Sequence, residues 1–239
     1  TYPADRYMLI FWNHGGGSTS GVCFDETADY DGLTIHEIND ALYNFTEANP
    51  DFHLDLIGFD ACLMATYEAA AHMQYYADFM VASEELEPSL GWNYAWLNAL
   101  GENPALDAQG IGVAIADAYM EACMDENPDD YLSMSVLYLP AMDYLVSTME
   151  TYASYLSQAL DAGQLSTFSR ARQRMYAFGD FDSATSDMVD MMALIDGTRT
   201  IAPQTADVLQ TAYERVVRYS VGTRKFDYLT GMSVYFPSG

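Results

Sequence analysis

The segment Leu54–Met64, LDLIGFDACLM, constrains the fold of this chain more than any other stretch. Its apolar first half gives way at Cys62 to the helix-like pattern ATYEAAAHMQYY. A short apolar run followed by a helical pattern predicts a buried strand that ends at Cys62 and turns into a helix. The Cys62 thiol is therefore expected at the carboxyl edge of a sheet, where ligands bind in open α/β folds, beside helix-start N–H groups that favour the thiolate.

A second strand with a polar end precedes this one. The continuous apolar run Tyr7–Trp12, YMLIFW, is typical of a fully buried strand, and Asn13-His14-Gly15-Gly16-Gly17 follows it. A helix is predicted between the two strands, with a capping box formed by Thr34 and Glu37. Because a strand–helix–strand unit places its strands parallel, His14 and Cys62 are expected on the same edge of the sheet.

The rest of the chain mixes helical and strand patterns. A third parallel strand is predicted at Phe79–Ser83, opening into a loop at Glu84–Trp92, with further strands at Leu132–Leu139 and Gly231–Pro237. Helices are predicted at 63–76, 94–100, 108–124, 141–160, 166–178, 186–194 and 206–219, and a surface loop at 18–32. Since no repeat or linker interrupts the pattern, residues 1–239 are interpreted as one α/β domain, and the abrupt start suggests a piece of a longer precursor.

The composition excludes several classes of protein. Half of the residues are apolar, which argues against disorder, and no apolar run reaches the roughly 18 residues that span a bilayer. Residues 1–169 hold 27 of the 35 acidic residues and, of the nine basic residues, only Arg6. Such a charge repels nucleic acid and anionic membranes; it either attracts cationic substrates or keeps the protein soluble.

The cysteines indicate thiol chemistry rather than a disulfide framework. An odd number of three in a chain of this size leaves at least one thiol free. Cys23 lies in a polar loop and Cys123 in a helix, and both are interpreted as structural. A lone Cys or His is usually structural as well, but Cys62 and His14 at equivalent strand ends form a candidate nucleophile and base.

The glycines after His14 let backbone N–H groups approach a ligand and form an oxyanion hole. A lipase-like serine hydrolase also needs a G-x-S-x-G motif, which the sequence lacks. No cofactor is expected, because His36, His53 and His72 lack the spacing of metal ligands. Calcium has no clear motif either, since the acidic stretches 25–31 and 129–130 lack a complete calcium-loop pattern.

These blocks carry a resemblance. The strands YMLIFWNHG and LDLIGFDAC are similar to the paired His-Gly and Ala-Cys signature of the caspase, legumain and gingipain clan of cysteine peptidases. Within that clan NHGGG, GFDACLMATYEAA, VASEELEP and GMSVYFP resemble the clostripain family. The resemblance implies a caspase-like α/β/α sandwich with a mostly parallel sheet, its earliest strand absent here. It also implies a secreted or cell-envelope bacterial endopeptidase with a His14/Cys62 dyad, an oxyanion hole from the amides of Gly15 and Cys62, and cleavage after Arg or Lys.

Asp60 is a candidate specificity residue. It precedes Cys62 by two residues, so strand alternation puts both side chains on one face, where a carboxylate opposes thiolate formation but suits a substrate Arg or Lys. The resemblance agrees, because the matching aspartate lines the family's specificity pocket. Glu84 or Glu85 is expected to add a second charge. The alternative is that Asp60 only caps the following helix.

The chain departs from the family in one respect. Family members often cleave themselves at a basic residue between the His and Cys blocks. This chain has no Lys or Arg from Tyr7 to Ser169, so it cannot be processed there by a basic specificity of its own. The expected partners are peptides or proteins with basic residues, not nucleic acid or membrane, and the oligomeric state is open. The alternatives are a non-catalytic peptidase-like module that binds a basic partner and a non-peptidase thiol hydrolase such as an acyl or amidine transferase.

Overall fold

The computed structural model describes residues 3–179, 186–223 and 229–238. The described strands are β1 (Met8–Trp12), β2 (Val22–Asp25), β3 (Asp31–Leu33), β4 (Leu54–Asp60), β5 (Ala77–Ala82), β6 (Ser133–Tyr138), β7 (Met188–Asp190), β8 (Val217–Gly222) and β9 (Ser233–Tyr235). The described helices are α1 (Gly17–Ser20), α2 (Ile35–Ala48), α3 (Tyr67–Met73), α4 (Leu97–Glu102), α5 (Ala108–Glu126), α6 (Met142–Asp161), α7 (Leu165–Arg172), α8 (Met191–Thr198) and α9 (Pro203–Val216). Short 3-10 helices occupy Tyr94–Trp96 and Leu139–Ala141.

A central sheet of five strands in the order β1-β4-β5-β6-β8 organises these elements. Strands β1, β4 and β5 run parallel, and β6 is antiparallel to both of its neighbours. The predicted α/β fold with a mostly parallel sheet is confirmed. Trp12 pairs with Asp60, so β1 and β4 end level with each other, and the segments carrying His14 and Cys62 leave the sheet at the same edge.

Helices cover both faces of the sheet, as the α/β/α sandwich requires. Alternation along β4 sends Leu56 to one face, where it packs with Tyr119 of α5. Ile57 and Phe59 point to the other face and join a core that includes Tyr152 of α6 and residues of α2, α3 and α9. All five side chains are fully buried, so the apolar run of the sequence is a strand covered on both faces.

The turn after β4 differs from the prediction. The strand ends at Asp60 instead of Cys62, and the helix begins at Tyr67, capped by the side chain of Thr66, instead of at Leu63. The backbone N–H groups of Leu63 and Ala65 donate instead to carbonyl groups of the segment after β5, and Leu63 adopts a left-handed φ of 66°. Cys62 therefore lies in a turn between strand and helix, and the helix-start N–H groups expected beside its thiol are not there.

The predicted surface loop 18–32 is wrong. The segment contains the two-stranded hairpin β2–β3, with residues Asp29 and Tyr30 in left-handed conformations at its turn. The Cys23 N–H donates to the His14 carbonyl at 2.9 Å, which ties this hairpin to the end of β1. The sequence does not predict the hairpin because its strands are only four and three residues long, too short to show the alternation that marks a strand.

Three predictions in the C-terminal third are also wrong in part. Helix α7 ends at Arg172 and not near residue 178, and the helix predicted at 186–194 is strand β7 followed by α8. Helix α9 ends at Val216, and β8 occupies the segment up to residue 222 because it pairs with β6. The closing strand is confirmed as β9, which pairs with β7 in a separate small sheet. These strands are short, so their formation depends more on the strands with which they pair than on the propensities of their own residues.

The predicted cap of α2 supplies a test of local stability. Thr34 Oγ1 accepts a hydrogen bond from the Glu37 N–H, and Glu37 Oε2 accepts one from the Thr34 N–H at 2.9 Å. We expect Thr34→Ala to lower the free energy of unfolding, measured in urea, by about 0.5–2 kcal/mol, because it leaves orphan helix N–H groups. The control is Thr46→Ala near the other end of α2, whose hydroxyl only bonds back to its own helix. An equal loss in both variants would contradict the capping account.

Candidate active site

The end of β1 and the turn after β4 meet at Gly15. A Cβ atom at Gly15 would lie 2.2 Å from the Cys62 carbonyl oxygen and 3.0 Å from the Cys62 nitrogen, so only glycine allows this approach. Gly15 faces Val22 in an antiparallel bridge whose hydrogen bonds run from Cys23 N–H to His14 and from Gly16 N–H to Gly21. Gly15 and Val22 are therefore the non-hydrogen-bonded pair of that bridge, and the Gly15 N–H points away from Val22.

Three backbone N–H groups surround the Cys62 thiol. The Glu87 N–H donates to Sγ at 3.2 Å, and the amides of Cys62 and Gly15 also interact with the sulfur. Burial nevertheless raises the pKa of the Cys62 thiol, and ionisation of Glu87 would raise it further, while the three N–H groups act in the opposite direction. The expectation of a stabilised thiolate is therefore wrong for the resting protein, because the helix begins five residues later and desolvation dominates.

His14 lies on the open side of the site. Its ring is largely exposed, and Nε2 is 3.6 Å from a carboxylate oxygen of Glu26. Sγ hydrogen-bonds instead to the backbone of Glu87. His14 and Cys62 still line one cleft of about 370 Å³.

The same cleft is lined by Asp60 and by the exposed side chain of Trp12. Asp60 is almost fully buried; its Oδ1 accepts the Trp92 N–H at 2.9 Å, and its Oδ2 accepts the Tyr94 hydroxyl at 3.1 Å. Burial raises the pKa of Asp60, and these two donors act in the opposite direction. The alternative role as a helix cap is wrong, because Thr66 caps α3.

The second carboxyl group at the cleft belongs to Glu87 and to neither of the two residues expected. The Ser133 hydroxyl binds the N–H groups of both Glu84 and Glu85, which turns the chain away from the cleft. The Glu84 carboxylate accepts the Gly231 N–H, and the Glu85 carboxylate accepts the Gly179 N–H. Neither residue lines the cleft, whereas Glu87 does. Because three glutamates lie within four positions, the sequence alone does not indicate which of them faces the cleft.

Within the described ranges, no group of three or more His, Cys, Asp and Glu side chains is arranged to hold a metal ion. Over those same ranges, no helix combines the length and the apolar character that a membrane span requires. The site itself offers a thiol, an imidazole, backbone N–H groups around the sulfur and a buried carboxylate.

Solved structures share this fold. A secreted C11 cysteine protease from Bacteroides thetaiotaomicron, in complex with an irreversible peptide inhibitor, has a TM-score of 0.71 at 20% identity over 99% of this chain and 67% of its own. An inactive zymogen C11 protease from Parabacteroides distasonis has a TM-score of 0.65 at 19% identity, over 99% of this chain and 65% of its own. At these identities the likeness defines the fold class, that of the C11 proteases.

The family follows from the sequence comparisons. The model of the clostripain family matches residues 1–238, and the chain therefore belongs to the clostripain family of cysteine peptidases. Clostripain of Hathewaya histolytica is 35% identical over an alignment of 111 positions that covers 39% of this chain. The chain spans only 20% of the length of that relative.

The state of the thiol can be measured directly. The rate of Cys62 alkylation by iodoacetamide is measured as a function of pH, by mass spectrometry of the Cys62 peptide. Because burial raises the pKa of Cys62, we expect the midpoint of this pH profile to lie above the ordinary cysteine pKa of about 8.5. Unfolding in urea should bring the midpoint back to that value. A midpoint below it in the folded protein would contradict the dominance of burial.

Proposed function

We propose that this protein is a cysteine endopeptidase that cleaves peptide bonds after Arg or Lys, with Cys62 as nucleophile and His14 as its proton-transfer partner. The observation that carries the proposal is that His14, Cys62 and the buried carboxylate of Asp60 line one cleft. The family membership supports the reaction class. Peptides and proteins with accessible basic residues are the proposed substrates.

The proposed reaction gives each group of the cleft a defined role. His14 takes the thiol proton as Cys62 Sγ attacks the scissile carbonyl carbon, and the N–H groups of Gly15 and Cys62 bind the oxyanion that forms. Collapse of this intermediate breaks the C–N bond, and His14 returns the proton to the leaving amine. Water then hydrolyses the thioester and releases the acid and the thiol. The raised pKa of Cys62 fits a thiol that loses its proton only when substrate and His14 are in place.

Charge supports the proposed specificity. Asp60 is an anion partner for a guanidinium or an ammonium, and Trp12 and Tyr94 offer aromatic surface beside it. No Lys or Arg occurs from Tyr7 to Ser169, so the strands and loops that build the cleft supply no guanidinium or ammonium group of their own. A substrate cation is therefore the proposed counter-ion of Asp60.

We also propose that the protein is secreted or attached to the cell envelope. The support is the likeness to a relative from Bacteroides thetaiotaomicron that is described as secreted. The strongly acidic composition suits an extracellular protein that must stay soluble.

The dyad is tested by removing each member. We expect Cys62→Ala to abolish peptide hydrolysis and His14→Ala to lower kcat by about 10²- to 10⁴-fold, the range for a positioned proton donor, with folding intact by circular dichroism. The matched controls are Cys23→Ala and His36→Ala, since the His36 ring is as exposed as that of His14. Loss of activity in a folded Cys23→Ala variant would overturn the choice of nucleophile. If the wild type hydrolysed small amides but no peptides, a non-peptidase thiol hydrolase would be favoured. If it hydrolysed neither, a non-catalytic binding module would be favoured.

The specificity is tested on matched peptides that end in Arg, Lys, Ala or Asp before the cut. We expect the wild type to prefer Arg and Lys in kcat/KM and Asp60→Asn to lose that preference, because the amide carries no charge for the cation. Asp55→Asn is the control: it lies on the same strand, but its carboxylate binds the Tyr7 N–H at the opposite end. An unchanged ranking in Asp60→Asn would refute the proposed pocket.

A further inference from the structure

Glu87 lies where the proposed nucleophile and the proposed specificity pocket meet. Its N–H donates to Cys62 Sγ at 3.2 Å, and its carboxyl group interacts with that of Asp60. We propose that Glu87 is held as a neutral carboxylic acid that donates its proton to Asp60, so that the cleft presents one negative charge, at a position that Glu87 fixes. This inference rests on the proposed function and makes Glu87 a positioning residue for specificity.

The surroundings of Asp60 suit an ion. Besides the donors from Trp92 and Tyr94, Gly91 approaches closely: a Cβ there would lie 3.0 Å from Asp60 Oδ1. A proton from Glu87 adds a third hydrogen bond to the Asp60 carboxylate. A carboxylate with several donors holds its charge in a buried place.

The surroundings of Glu87 suit a neutral acid. Both of its carboxyl oxygens are buried, and no described N–H or hydroxyl group donates to them with hydrogen-bonding geometry. An ionised Glu87 would cost free energy for two reasons: its charge would be buried without a partner, and it would be repelled by the charge of Asp60. Burial and the charge of Asp60 raise the pKa of Glu87 well above its usual range, with the Trp92 indole and the Ala61 N–H acting weakly in the opposite direction.

Besides His14 on the rim of the cleft, four titratable groups face the pair, and none of these four supplies a positive charge. Tyr119 and Cys123 approach from α5, and Cys62 and Tyr94 lie on the cleft side. Burial raises the pKa of Cys123 to about 11 and that of Tyr94 to about 12, and it raises those of Tyr119 and Cys62 as well, so all four are neutral near pH 7. The proton between Glu87 and Asp60 is therefore the local means of limiting the negative charge to one.

The pairing explains why the specificity carboxylate is compatible with a nearby thiol. Two ionised carboxylates beside Sγ would oppose thiolate formation more strongly than one. With Glu87 neutral, the side chain fixes Asp60 while its own backbone N–H holds Sγ, so the loop after β5 sets the distance between nucleophile and cation site.

The test compares peptides with Arg or its neutral isostere citrulline before the cut. We expect Glu87→Gln to keep the ratio of the two kcat/KM values within about threefold of wild type at neutral pH, because the amide N–H donates to Asp60 as the acid did. Glu87→Leu should lower the ratio by about tenfold or more, as expected for a lost hydrogen bond to a charged group. In the wild type the ratio should rise at alkaline pH as Glu87 ionises, and in Glu87→Gln it should stay flat.

Each result has a contrary one. A fall of the ratio in Glu87→Gln as large as that in Asp60→Asn would mean that Glu87 is a second counter-ion, and an unchanged ratio in a folded Glu87→Leu would mean that it positions nothing. A wild type that does not discriminate Arg from citrulline would refute the proposed specificity itself.

Infrared difference spectroscopy gives a readout that needs no activity. We expect a carbonyl-stretching band of a protonated carboxyl group at neutral pH that is lost in Glu87→Gln. No difference between wild type and Glu87→Gln would overturn the inference even if Glu87→Leu fails to fold.

Discussion

The parallel pairing of β1 with β4 is the constraint on which the site depends. Their register places Trp12 opposite Asp60, so the chain leaves both strands at one level, and Gly15 packs directly on the Cys62 backbone. This contact directs two amides toward one sulfur and puts His14 on the rim of the cleft that Cys62 lines. The fully buried residues of β4, packed against helices on both faces, hold that register rigidly.

Charge is the second constraint. A buried carboxylate in a protein is normally paired with a cation, yet the whole stretch from Tyr7 to Ser169 contains none. Among the described residues, Asp60 accepts hydrogen bonds from Trp92 and Tyr94, and the proposed proton of Glu87 adds a third. Hydrogen bonds keep such a carboxylate in a folded protein without a resident cation, as the proposed pocket for basic side chains requires. Limiting the site to one charge also protects the nearby thiol from further repulsion.

Much of this arrangement follows from the sequence. A continuous apolar run identifies β1, an interrupted one identifies β4, and helical spacing identifies α5 and α6. Strand alternation puts Asp60 on the cleft face because β4 does extend to that residue. The rest depends on contacts that no local pattern encodes. The protonation state of the Cys62 thiol depends on where α3 begins. Hydrogen bonds from the turn before α3 to the segment after β5 determine that start. The choice of Glu87 over Glu84 and Glu85 depends on the Ser133 hydroxyl, which lies nearly fifty residues away.

The most direct test of the account is covalent labelling of the folded protein with two peptidyl chloromethyl ketones that differ only in Lys or Asp before the ketone, followed by peptide mapping. The account predicts fast, saturable modification of Cys62 by the Lys reagent, slow modification by the Asp reagent, and none at Cys23 or Cys123. Equal rates with both reagents, or a label on Cys23, would contradict it.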